Sequence, residues 1–307
     1  MKSAFLFPGQ GSQKTGLLTE LPSSKVVENI LAEASDALDK DIFQFHTESA
    51  LKSTKAVQIV LLTAGVATYK LFESEGLKPD FVAGHSVGAF GAAVAAGVIG
   101  FADALRIVKL RGELMEKLYP SGFGMGVVLG LEKERVEDLV ARHFEERYPV
   151  FLANHNAPDQ VTVSGALRGI EESLQLALQH GARCAFLLAV NTPSHCPLLS
   201  PVSIALDKAF NNVIFHKPVI PYVGNQRARM LFNAEDIRRD LVESVAAPVR
   251  WHDVTTVLYE KGVRLFIEMI PGNILTRLAE KAFPEARALS VSENGWEDCC
   301  YLARNVI

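Results

Sequence analysis

Cysteine is scarce in this chain: four residues in 307, at positions 184, 196, 299 and 300. The adjacent pair Cys299-Cys300 lacks a metal-ligand spacing, and four thiols so placed make no disulfide framework. Reduced thiols and a cytoplasmic setting are therefore expected. Excess charge of one sign is also missing. Lys and Arg number 31 against 35 Asp and Glu, a net of −4, which argues against a general nucleic-acid binder. No apolar run reads as long and clean enough to span a bilayer. The run 3–7 meets Pro8-Gly9-Gln10-Gly11 too early for a signal peptide. Repeats and low-complexity tracts are absent. What the chain has is apolar bulk, 49% hydrophobic residues, enough to core one large domain carrying a smaller one.

It also has Gly84-His85-Ser86-Val87-Gly88. Phe81-Val82-Ala83 before it reads as a buried strand. The uncharged, Ala- and Gly-rich stretch 87–99 after it reads as a helix packed closely on a sheet. A strand, a sharp turn and a small-residue helix put Ser86 on an elbow, with glycines removing the Cβ atoms that would clash. Its hydroxyl then lies at a helix N-terminus, where unpaired N–H groups can hold an oxyanion. In that context a nucleophile is the better reading than a structural serine.

Around the elbow the chain alternates strands and helices, which implies an α/β fold with a mostly parallel, helix-covered sheet. Residues 3–7 read as a strand running into the glycine-rich loop 8–13. That loop is either a plain turn or a backbone lying close to a ligand, with Gln10 offering an amide. Helices are expected at 25–38 and 57–75. Val60, Leu61, Ala64, Ala67 and Leu71 make the apolar face of the second, and spacing alone puts Gln58 at the surface. A further helix at 101–118 carries Arg106, Lys109 and Arg111; a helix arginine is usually a solvated face residue. Then comes a β-α-β-β-α-β series: strand 125–129, helix 132–143, hairpin 150–154 with 160–164, helix 170–180 and strand 185–190. That is the ferredoxin-like order. We expect a small inserted unit at 122–191, with residues 1–121 and 192–307 forming the large core. The clearest later strands are 219–223 and 264–269, and the clearest later helices 198–210, 251–259 and 273–281.

A serine needs a base to take its proton. His85 is beside Ser86 in sequence, but neighbours on an elbow need not face each other. His46, His143, His180 and His216 lie in surface-like contexts. His155 sits at a hairpin turn and His252 at a helix start. His195 lies in the proline-bracketed loop Asn191-Thr192-Pro193-Ser194-His195-Cys196-Pro197, where the small unit rejoins the large one and a cleft is expected. On spacing alone a satisfied structural histidine remains the slightly better reading.

Taken together, several segments carry a resemblance. Residues 7–13 (Phe-Pro-Gly-Gln-Gly-Ser-Gln), the elbow, Arg111-Gly112 with Met115, Asn156 with Pro158 and Gln160, Ser194-His195-Cys196 and Pro248-Val249-Arg250-Trp251 occur in this order. The chain resembles the malonyl-CoA:acyl carrier protein transacylase family over nearly its whole length. The resemblance implies an α/β-hydrolase-like core with the inserted ferredoxin-like unit. It implies Ser86 as the nucleophile that accepts the malonyl group and His195 as its base. It implies Arg111 as the binder of the free malonyl carboxylate, and Gln10 with the Val87 N–H as the oxyanion hole. His85 would line the site, Gln58 would lie near its mouth, and Asn156 would support the loop of the active histidine. The base would be steadied by a backbone carbonyl near Arg250 rather than by an aspartate. Malonyl-CoA would be the substrate and an acyl carrier protein with a phosphopantetheine-type or CoA-like arm the partner. No permanently bound cofactor and no metal are implied.

Three departures mark a side branch. The elbow reads Gly-His-Ser-Val-Gly-Ala-Phe where fatty-acid-synthesis members usually have Gly-His-Ser-Leu-Gly-Glu. Gln58 is followed by Ile59 instead of proline, and Met269-Ile270-Pro271-Gly272 replaces Val-Gly-Pro-Gly. The elbow, the helix at 92–96 and the continuation Phe101-Ala102-Asp103-Ala104-Leu105 resemble the transacylase (epsilon) subunit of malonate decarboxylase, with a transacylase of fatty-acid or polyketide synthesis as the alternative. A serine hydrolase is a more distant rival, but that class runs Ser, Asp or Glu, then His, and no acid stands out between Ser86 and His195. A non-catalytic carrier-docking subunit would need neither residue.

Overall fold

The computed structural model describes residues 1–306. Strand β1 (Lys2–Phe7) is buried from Ser3 onward, as a strand covered on both faces must be. Helices α1 (Lys25–Leu38) and α2 (Thr54–Ser74) each begin at a serine cap: Ser24 accepts the Val27 N–H and Ser53 the Ala56 N–H. The structure corrects two expectations at α2. By length and composition this helix could cross a membrane, yet 89% of its most apolar window is buried inside the protein. It is apolar around nearly its whole circumference, which is what a core helix requires, and so Gln58 is buried too.

Strand β2 (Phe81–Gly84) leads through the elbow into α3 (Gly88–Ala95), shorter than the expected 87–99, and then α4 (Phe101–Leu118). Next come β3 (Phe123–Leu129), α5 (Lys133–Arg142), β4 (Val150–Ala157), β5 (Gln160–Ala166), α6 (Leu167–Gln179) and β6 (Cys184–Leu187). These four strands form a separate antiparallel sheet, ordered β4-β5-β3-β6. It encloses its own small core of Val128, Val161, Val163, Ile170 and Leu174.

The chain returns through α7 (Ser200–Phe210), β7 (Tyr222–Val223), β8 (Met230–Leu231), α8 (Ala234–Glu243), α9 (Trp251–Glu260), β9 (Val263–Glu268), α10 (Ile274–Ala282), β10 (Arg287–Ser290), α11 (Val291–Asn294) and α12 (Trp296–Val306). The strand expected at 219–223 shrinks to two residues. Pro221 can accept the Val82 N–H through its carbonyl but has no N–H to give back.

The large sheet has the order β10-β9-β1-β2-β7-β8, parallel except for β8. Phe7 pairs with Gly84 and Leu6 with Glu268, so β1, β2 and β9 end side by side. The loop 8–13, the elbow and the loop 269–273 therefore emerge on one edge, where open α/β sheets form their binding crevice. The small sheet is stitched on beside it: His155 N–H donates to Val249 O and Val249 N–H to Ala153 O, each at 2.9 Å.

Candidate active site

The elbow is as tight as its glycines suggest. A Cβ on Gly84 would sit 2.1 Å from the Gly88 carbonyl carbon, and one on Gly88 2.1 Å from Phe7 O. Ser86 itself takes φ 54, a left-handed conformation that costs a non-glycine residue about 1–3 kcal/mol. The N–H groups of Gly88, Ala89 and Phe90 find acceptors at His85, Ser86 and Val87. The Val87 N–H has no partner among the described residues. It opens α3, where donors and the helix dipole favour a negative oxygen.

His195 reaches this hydroxyl from the far side of the chain. Its Nε2 lies 2.6 Å from Ser86 Oγ, and its Nδ1 donates to Ser244 O at 2.6 Å. A carbonyl can only accept, so the proton is on Nδ1 and the Nε2 lone pair faces the serine. His195 also has left-handed backbone, φ 64, and its N–H donates to Val245 O at 2.9 Å. The ring is 2% exposed, and its pKa is pulled down to about 3, by burial first and then by the Arg111 and His85 charges. It is neutral at physiological pH, as a base must be. The steadying carbonyl is that of Ser244, not one at Arg250. Arg250 points outward to Asp253 at 2.7 Å, because it begins α9 and that helix turns its charged face to solvent.

Arg111 departs from the usual helix arginine. It is 2% exposed, and no carboxylate pairs with it among the described residues. Burial alone lowers its pKa, to about 10, so it stays charged. On the same helix Arg106 lies at the surface and pairs with Asp103. Gly112 makes the difference possible: a Cβ there would come within 2.4 Å of Lys55 Cα, so α4 approaches α2 closely beside Arg111. Buried Gln58 belongs to the same contact. Its Nε2 donates to Met115 Sδ at 3.5 Å, one turn beyond Arg111, and its Oε1 is left without a partner.

His85 turns its imidazole to partners other than Ser86. Its Nε2 bonds Asn156 Oδ1 at 3.0 Å and its ring meets Trp251 edge to face. Asn156 therefore steadies His85, not the His195 loop; β4 carries it to the elbow side of the cleft. His46, expected at the surface, is buried at 8%, and its Nδ1 accepts the Leu18 N–H at 3.1 Å, a purely structural bond. The loop 8–13 lies on the elbow, since a Cβ on Gly9 would come within 2.8 Å of His85 O.

From the elbow a cleft of about 430 Å3 runs between the two sheets. Gln10, His85, Phe186 and Leu278 are among the residues that line it. Two buried polar atoms of the small sheet, Asn154 Oδ1 and Thr162 Oγ1, have no protein partner, and both residues line this cleft. Sequence reading missed them, as it missed Ser244 and Asn225, whose side chain accepts the Ser86 N–H at 3.1 Å. The alternation of β4 and β5 could have flagged Asn154 and Thr162 as inward-facing polar residues. Nothing local marks Ser244 or Asn225.

A hydroxyl, a neutral imidazole oriented by a carbonyl, a free helix N–H and a buried guanidinium can together perform acyl transfer on a carboxylated acyl group. Comparison with known proteins agrees. Residues 4–294 match the acyl transferase domain family. The malonyl CoA-acyl carrier protein transacylase of Haemophilus influenzae is 35% identical over 299 residues, covering 95% of this chain and 96% of that protein. The one from Bacillus subtilis is 36% identical over 301 residues, covering 95% and 94%. Among solved structures, the Coxiella burnetii malonyl CoA-acyl carrier protein transacylase superposes with a TM-score of 0.94 at 31% identity, covering 99% and 97% of the two chains. A malonyl-transacylase in complex with a type II PKS acyl-carrier protein gives 0.92 at 35% identity, covering 99% and 100%.

Proposed function

The chain belongs to the acyl transferase domain family, and on that premise we propose that it transfers a malonyl group from malonyl-CoA to the thiol of an acyl carrier protein through a malonyl-Ser86 ester. The single observation that carries this reading is the 2.6 Å contact between Ser86 Oγ and His195 Nε2, with the buried cation of Arg111 close enough to lower the imidazole's basicity. Ser86 Oγ attacks the thioester carbonyl while Nε2 takes its proton. The tetrahedral oxyanion accepts from the Val87 N–H and the Gln10 amide; one such donor is typically worth about 3 kcal/mol. Collapse expels the CoA thiolate, which recovers the proton from His195. The carrier thiol then gives its proton to Nε2 and attacks the ester, and Ser86 Oγ leaves with that proton.

Arg111 makes the reaction selective. A guanidinium grips a carboxylate through paired hydrogen bonds. An acetyl group would leave it buried and unpaired, at a cost of several kcal/mol. The amide-bearing arm common to CoA and carrier lies in the cleft, where Asn154 and Thr162 offer unused polar atoms.

For the carrier we favour one of the fatty-acid or polyketide kind. The relatives are named for an acyl carrier protein, and one solved neighbour holds a type II PKS carrier. The malonate decarboxylase carrier is the second reading and rests on sequence alone, at the Gly84–Phe90 elbow, 92–96 and 101–105. Incubation with malonyl-CoA and intact-mass measurement should give one malonyl adduct on Ser86, discharged by an added phosphopantetheine-bearing carrier. Offering both carriers in competition ranks the two pathway readings. Rapid release of free malonate without any carrier would instead mean a hydrolase.

A further inference from the structure

Asn225, 1% exposed just beyond β7, lies directly behind the nucleophile. Its Oδ1 accepts the Ser86 N–H at 3.1 Å, and its Nδ2 donates to Gly84 O at 2.7 Å. One planar amide thus spans both sides of the turn between β2 and α3. The asparagine is itself fixed. Its N–H donates to Asp240 Oδ2 and its carbonyl accepts the Arg250 N–H, each at 3.1 Å. Buried Asp240 also accepts from Tyr222 Oη at 3.0 Å and from the Gln226 N–H at 3.1 Å.

We propose that Asn225 is the positioning residue of the elbow: it holds Ser86 in its left-handed conformation and withholds the Ser86 N–H from the oxyanion, leaving that task to Val87. Gly84 and Gly88 only remove clashes from the turn. A serine in a sparsely populated backbone region persists when surrounding contacts over-determine it, and the amide supplies those contacts. It must accept on one side and donate on the other. An asparagine does both; an aspartic acid of the same shape does both only while protonated.

That requirement gives the test. In Asn225→Asp the neutral carboxyl reproduces the clamp, and the ionised one faces the Gly84 carbonyl and loses it. Tyr222 and Asp240 face this position from the core, and His85 and His195 are the titratable neighbours of the clamped Ser86. Arg227, Arg229, Asp236, Arg239 and Glu243 line the cavity on the outer face of Asp240. Burial and the Asp240 charge both favour the protonated form. Ser86 reactivity is read with a fluorophosphonate: Oγ bonds phosphorus, fluoride leaves, and His195 takes the proton, so no acyl donor is involved. The unmutated protein should label at a steady rate from about pH 5 to about pH 8, His195 being neutral throughout. Asn225→Asp should approach that rate at the acid end and fall by about 100-fold toward the alkaline end. Asn225→Ala should be slower by a similar factor at every pH. A flat profile for Asn225→Asp, fast or slow, overturns the assignment even if the alanine variant does not fold. A second arm rests on the malonyl-transfer reading: with malonyl-CoA, acylation should slow while KM moves less than about threefold. An unmutated protein that labels but is not malonylated defeats the transfer reading and leaves the clamp judged by the first arm. One that does neither defeats both.

Discussion

The residues that hold Ser86 and His195 spend their hydrogen-bonding groups on one another; on the cleft wall and beside Arg111 several buried polar groups lack a protein partner. Asn225, Asp240, Tyr222, Ser244 and His195 bond one another or the elbow backbone. Gln58 Oε1, Asn154 Oδ1 and Thr162 Oγ1 bond nothing, and the Arg111 guanidinium has no acid. A buried unsatisfied polar group costs about 1–3 kcal/mol, so leaving several in one place is expensive to the fold. The difference separates two tasks. Timing a proton transfer needs atoms that do not move, and saturated hydrogen bonds hold them. Recognising an acyl donor needs groups that still lack a partner.

The largest effect should come from breaking the saturated side. His195→Ala removes the imidazole that contacts Ser86 Oγ, and loss of a catalytic base costs roughly 10^3–10^6 in rate. Malonyl-Ser86 formation followed by quenched mass spectrometry should fall accordingly while fluorescence still reports a folded protein. Residual acylation near the unmutated rate would remove His195 from the chemistry.

Next is the open side. Arg111→Met should slow malonyl transfer by roughly 100-fold or more and bring acetyl transfer up relative to it. It should also change the pH profile. His195 works only when neutral, so activity falls as pH drops through its pKa, which burial and the Arg111 charge pull to about 3. Without the cation that pKa rises, and the acid limb of the rate profile moves to higher pH. Bound malonyl carboxylate offsets the same charge in the unmutated protein, so its kcat limb should lie at higher pH than its kcat/KM limb. Coincident limbs would mean that the carboxylate does not sit on Arg111.

How much of this was readable beforehand follows the same division. The elbow was legible because its demands are local: two glycines around a serine, a strand before and small residues after. The ferredoxin-like order was legible from alternating periodicity. The partners of the frame were not. Ser244 contributes a carbonyl, which any residue has, and it meets His195 only because α8 ends beneath that loop. Asn225 lies 139 residues from Ser86 in sequence, just past a strand too short for a pattern. Gln58 was misread for another reason. One polar residue beside an apolar face looks solvated until the whole circumference of α2 is seen to be packed.

On the small-sheet wall the expected signs oppose each other. Thr162→Val keeps the shape and removes an unpartnered buried hydroxyl. Stability should rise by about 0.5–1 kcal/mol, readable as a higher thermal midpoint. KM for malonyl-CoA should rise about three- to tenfold with kcat nearly constant, because the lost contact is made equally before and during the reaction. A lower midpoint, or a fall in kcat alone, would place Thr162 in the frame instead.

The smallest effect concerns the link between the two walls. Asp159, in the β4–β5 turn, accepts from Lys281 on α10, linking two elements that line the cleft, and lies 3.5 Å from Arg183. The Lys281 hydrogen bond is the main reason its pKa drops below 3.8, with burial opposing and Arg183 assisting. A depressed acid stabilises the fold above its unfolded pKa and loses that contribution as pH falls through the folded value. The carboxylate is partly exposed, so the contribution is about 0.2–1 kcal/mol and falls with salt. Asp159→Asn should therefore lower the thermal midpoint slightly at neutral pH and low salt, and the difference should vanish in acid or high salt. Its KM should shift by no more than about twofold, since neither Asp159 nor Lys281 lines the cleft. A larger shift would mean that this ion pair sets the width of the cleft mouth, and the two walls would then act as one.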